Sequence, residues 1–158
     1  MKHTKKILTL ALVGAMLTAC SITAFAVDYP GGSQDTEITT SVAPTFTVTI
    51  PADTTVEFNA LSTDFGSVTL ESARLAPNKA IQVTLDASGT LKNAVDNTKT
   101  IAYTIQKTDG TAFTSAQYLT AGETTALKIG IEQTAWDAAF AGDYSDTVNF
   151  NIAYVDAE

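Results

Sequence analysis

Apolar and polar residues alternate in short runs along most of this chain. Phe46, Val48 and Ile50 alternate with Thr45, Thr47 and Thr49, and Pro51 ends the run. Ile81, Val83 and Leu85 alternate with Gln82 and Thr84, and Ile101, Tyr103 and Ile105 repeat the pattern. Leu127, Ile129 and Ile131 follow, and Val148, Phe150, Ile152 and Tyr154 close the series against Thr147, Asn149 and Asn151. A period of two puts one apolar face on each segment, as in a half-buried strand. Val56 and Phe58 predict a further strand, Phe65–Leu70 another with a bulge at Gly66, and Leu91 and Phe113 two short ones.

Turn residues separate these runs: Leu75–Lys79, Asp86–Gly89, Asp96–Lys99, Thr108–Thr111 and Ala121–Glu123. Asp109-Gly110 suits a tight hairpin because both residues tolerate positive φ. Residues 134–141 are the one helix-like stretch, with Thr134 the expected N-cap and Gly142 the stop. Trp136 and Phe140, one helical turn apart, are expected to share one face and pack the core. About eight short strands with frequent turns predict an all-β, two-sheet β-sandwich or barrel. The 23 threonines that follow Ala26 agree, since a β-branched polar residue suits the outer face of a strand.

The segment before Val27 follows a different rule. Lys2, Lys5 and Lys6 precede an apolar run from Ile7 to Ala19, and Ala24-Phe25-Ala26 provides a small-x-small cleavage site. The run is shorter than the roughly 20 residues a spanning helix needs. Residues 1–26 therefore read as a secretion signal, with no transmembrane helix and cleavage after Ala26. Leu17-Thr18-Ala19-Cys20 resembles the bacterial lipobox, so lipidation of Cys20, with membrane anchoring, is the alternative. Residues 27–35 contain Pro30-Gly31-Gly32 and read as a flexible leader. Residues 36–158 are expected to form the sandwich domain. The expected location is the bacterial cell surface or the medium.

Composition after Ala26 limits the chemistry. Neither Cys nor His occurs there, which removes disulfides, thiol nucleophiles, imidazole bases and His/Cys metal sites. Seventeen acids face six bases, a net charge of −11 that repels nucleic acid and anionic lipid. Ser-x-x-Lys, Gly-x-Ser-x-Gly and phosphate-loop patterns are missing. The expectation is a protein that is not an enzyme and needs no cofactor. Asp143 and Asp146 are candidate calcium ligands, though no Asp-x-Asp-x-Asp loop accompanies them. Trp136, Phe140, Tyr144 and Tyr118 are candidates for a sugar-binding platform. Trp136, Tyr144, Asp143 and Asp146 are thus the candidate ligand contacts.

The last segment, Ala141-Gly142-Asp143-Tyr144-Ser145-Asp146 with its closing strand and late Tyr154, resembles the ending of fimbrial-type subunits and spore-coat-U-like secreted proteins. The likeness is carried by this segment, and elsewhere only by the strand pattern. The cysteine pair many of those proteins have is missing. The resemblance implies an immunoglobulin-like sandwich and an exported structural or adhesion-type role, with the chain as a fibre subunit. It also implies that subunits share strands, with residues 36–42 as a donor; pairing of those residues inside their own domain is the other reading. Partners are then the chain itself or a host or cell-surface ligand. A stand-alone carbohydrate- or calcium-binding module is the rival function.

Overall fold

The computed structural model describes residues 7–8 and 36–158. The residues read from sequence as a signal and leader, including Cys20 and Ala26, otherwise lie outside the described residues. Ten strands lie between Thr45 and Asp156, together with one short helix. A two-residue strand, Ile7–Leu8 (β1), pairs with Val48 and Thr49 on the edge of the first of them.

Two sheets face each other. The first joins β1, Thr45–Thr49 (β2), Ser62–Arg74 (β3), Thr124–Gly130 (β9) and Thr104–Lys107 (β7) in the order β1-β2-β3-β9-β7. The second joins Asn149–Asp156 (β11), Lys79–Asp86 (β4) and Ser115–Tyr118 (β8) in the order β11-β4-β8. All pairings are antiparallel. A third small sheet of Tyr144–Ser145 (β10), Thr90–Asn93 (β5) and Thr100–Ala102 (β6) sits at one end. The order β2-β3-β9-β7 over β11-β4 follows the A-B-E-D and F-C strands of an immunoglobulin-type sandwich, to which β1 is added beside β2 and β8, from between the D and E equivalents, beside β4.

The alternating residues supply the core. Val48, Val68, Leu70, Ile81, Val83 and Leu127 are almost fully buried. Phe46 on β2 stacks on Tyr154 of β11 at 6.5 Å, and Phe65 on β3 meets Phe150 of β11 at 6.2 Å. The expected bulge is present: register shifts between Asp64 and Gly66, where Gly66 takes φ 105° and its N–H donates to Asp64 Oδ1. The Asp109-Gly110 turn also forms, with Gly110 at φ 84°.

Three expectations fail. Val56 and Phe58 form no strand; residues 51–61 cross the end of the sandwich as an irregular segment. Asn59 takes φ 64°, which breaks the alternation, and the Trp136 indole N–H donates to the Ala60 carbonyl and ties the segment down. The helix (α1) covers only Gln133–Asp137, with Glu132 at the N-cap position and no side-chain cap, so Thr134 lies inside it. Because α1 stops before Phe140, the helical spacing no longer puts the two rings on one face: Trp136 is buried while Phe140 is 60% exposed. Finally, residues 36–43 join no sheet among the described residues and are exposed throughout, so they do not pair inside their own domain.

Candidate functional site

Two surfaces stand out, and they meet. The first is the flank where β11 forms the edge of its sheet and faces β2, beside which β1 pairs in the other sheet. Ile81 and Val83 on β4 are fully buried, yet their cross-strand partners Tyr154 and Ile152 on β11 are only half-buried. Phe150, Phe65 and Ile50 share that partial cover. Among the described residues no strand pairs with the outer edge of β11, the position that a G strand takes in the immunoglobulin arrangement. A core face left half-covered beside a free edge is a template for strand addition.

The second surface is at the end of the sandwich. A cavity of about 440 Å³ lies between the Thr54–Phe58 segment and the loop before β11. Trp136, Asp143, Tyr144 and Asp146 all line it, so the four candidate contacts are brought together. It runs into a neighbouring hollow of about 360 Å³ that Phe58, Ile101, Trp136 and Phe140 enclose. On its other side it shares Thr54, Val56, Leu91 and Asp146 with a third hollow of about 380 Å³ that opens on the β11 flank. Tyr118, the remaining aromatic candidate, is buried, and its hydroxyl donates to Thr125, so it belongs to the core.

The loop that carries Asp143, Tyr144 and Asp146 is built tightly. Gly142 takes φ 141°, and a Cβ there would lie 2.6 Å from Asn93 Nδ2, so only glycine fits. The Ala94 N–H donates to the Asp143 carbonyl. The Tyr144 hydroxyl donates to the Phe140 carbonyl at 2.9 Å and accepts from the Phe140 N–H at 3.1 Å. This is the geometry of the tyrosine corner, in which a Tyr ahead of strand F bonds back to upstream backbone.

Asp146 is a clamp. Its Oδ2 accepts from Ser88 Oγ and from Tyr103 Oη, each at 2.6 Å. Burial works to raise the Asp146 pKa, but hydrogen bonds from Ser88, Tyr103 and the Thr147 backbone, with the nearby charge of Lys92, outweigh it and hold it below the ordinary value. Burial first, then the bond and charge of Asp146, push the Tyr103 phenol well above its usual range. The pair is locked as carboxylate and neutral phenol. Among the described residues no three acidic side chains converge as metal ligands, and Asp146 commits its Oδ2 to protein donors.

Phe58, Tyr103 and Ser88 were missed from sequence as site residues. Phe58 and Tyr103 each sit in an alternating run and read as ordinary strand residues. Ser88 reads as turn polarity, and nothing local marks Asp146, its distant partner. No protein-family model matches the sequence, and a comparison with curated proteins finds no match.

Proposed function

We propose that this chain is an exported, non-catalytic structural or adhesion-type protein of the cell surface that works through its sheet edges and associates with copies of itself by strand addition. The observation that carries this reading is the β11 flank: a free strand edge above the half-covered Phe150, Ile152 and Tyr154. Residues 36–43 supply a fitting donor. They are exposed and join no strand among the described residues, and in a strand conformation the period of two would put Ile38 (95% exposed), Thr40 and Val42 (66% exposed) on one face. Backbone pairing with β11 would satisfy the free edge, and the two apolar side chains would cover the inward face.

The test uses the secreted form, residues 27–158. Light scattering after size-exclusion chromatography is expected to give assemblies that grow with concentration. Deleting residues 27–43, or changing Ile38 and Val42 to Asp, is expected to leave monomers. A wild-type chain that stays monomeric at millimolar concentration, with residues 36–43 protected from amide exchange in the monomer, refutes the proposal.

A further inference from the structure

We infer that the aromatic trough at the end of the sandwich is a binding site for an uncharged oligosaccharide. Two phenylalanines, Phe58 at 76% and Phe140 at 60% exposure, stand over the trough, and Ile101 and Trp136 line it between them. Large rings left in water at the rim of a concavity mark a recognition surface, whereas single scattered apolar residues do not. Phe58 is held in place rather than loose: its ring meets Trp136 edge-on at 5.7 Å and 76°. A pre-set ring loses little freedom when a ligand stacks on it.

The polar groups select the ligand class. The hollow next to the rings is lined by Thr54, Thr55, Ser145 and Asp143. These groups donate to and accept from hydroxyls, the complement of a sugar's polar rim, while the exposed Phe58 ring offers a flat face to its C–H surface. The charges at the trough balance. Asp143 and Asp146 line it, Lys99 Nζ stands 4.6 Å from the centre of the Phe140 ring, and Lys92 acts on Asp146. An anionic ligand meets two acidic residues and a chain that carries −11 after Ala26, and a cationic one finds the Phe140 ring already taken by Lys99. A neutral, hydroxyl-rich ligand avoids both penalties. The joined hollows of about 440 and 360 Å³ each fall within the range of roughly 300–1,000 Å³ usual for ligand sites.

The inference does not depend on strand addition, so the test uses the chain with residues 27–43 removed alongside residues 27–158. The chain has one tryptophan, Trp136, and its emission reports on this site alone. Hexamers of β1,4-glucose, β1,4-N-acetylglucosamine and α-mannose are titrated by fluorescence and calorimetry, with oligogalacturonate and a lysine-rich peptide as charged controls. At least one neutral hexamer is expected to shift the emission and bind with a Kd below millimolar in both chains. Phe58→Ala and Asp143→Ala are each expected to weaken it ten-fold or more with an unchanged Tm. Their exposure makes both changes tolerable to the fold. Failure of every neutral hexamer, equal binding by both variants, or binding of only a charged control overturns the inference.

Discussion

Asp146 joins three parts of the chain that are distant in sequence, and its removal has a calculable effect. Ser88 precedes β5, Tyr103 lies between β6 and β7, and Asp146 stands just ahead of β11. Tyr103→Phe deletes one hydrogen bond to a charged acceptor. Such bonds contribute about 1.5–3 kcal/mol, and because Asp146 is only half-buried the lower end applies, about 1.5–2 kcal/mol. Asp146→Ala deletes both bonds and strands the hydroxyl of Tyr103, a residue only 6% exposed. The unsatisfied phenol adds a share of the roughly 1–3 kcal/mol desolvation cost, for a total of about 3–4 kcal/mol. Urea denaturation followed by Trp136 emission measures both. With a slope of about 1.5–2 kcal/mol/M, the midpoint falls by about 1 M for Tyr103→Phe and about 2 M for Asp146→Ala.

The pH dependence fixes the sign. The folded pKa of Asp146 is depressed, so its contribution is complete above the unfolded value near 3.9 and is lost as pH falls through the lower folded value. The gap between wild type and Tyr103→Phe therefore narrows as the pH falls below the unfolded value and through the lower folded one, since a neutral carboxyl is the weaker acceptor. A Tyr103→Phe protein with the same urea midpoint as wild type at pH 7, or a gap that does not change on acidification, refutes the clamp.

Three further outcomes follow from the same geometry. Leu127→Ala, at a fully buried position of β9, is expected to cost about 2.5–4 kcal/mol in the same urea assay. Tyr103 and Tyr118 both have pKa values raised chiefly by burial, so stability is complete below about pH 10 and declines above it; near-ultraviolet absorbance titration of wild type against Tyr103→Phe and Tyr118→Phe should place these two phenols above the ordinary phenol range. Tyr144→Phe removes the two corner bonds to Phe140, and since that backbone is exposed the loss is held to about 1–2 kcal/mol, read as a fall in Tm.

The fold was legible where the two-residue period was strong. Val48, Ile81, Val83, Ile105 and Leu127 alternate in the sequence and point inward in the structure. Gly66 announced its bulge because no other signal in that run asked for a glycine. What failed was short and set by distant contacts. Phe58 belongs to a run too brief for period two to decide, and its position depends on Trp136, far along the chain. Phe140 was read with Trp136 on a helical spacing, but α1 ends first. The grouping of Trp136, Asp143, Tyr144 and Asp146 around one cavity was legible in part, since three of them are near neighbours in sequence. The clamp partners Ser88 and Tyr103 were not, because long-range pairing leaves no local mark.

Each residue of the C-terminal motif has a task in the fold. Gly142 is required by a φ of 141° against Asn93, the Asp143 carbonyl holds Ala94, Tyr144 makes the corner, and Asp146 makes the clamp. All of them serve the turn into β11. A sandwich of this topology that must lead its chain from α1 into the F position faces the same demand, whatever its surface does. The residues of this segment are thus each accounted for by the geometry of one corner. The function must be argued from groups the corner does not consume. Those are the free edge of β11 with its half-covered rings, the exposed Ile38 and Val42, and the trough between Phe58 and Phe140. None of the three is needed to close the sandwich, and leaving apolar groups in water opposes folding, so these are the groups on which the strand-addition and sugar-binding proposals stand or fall.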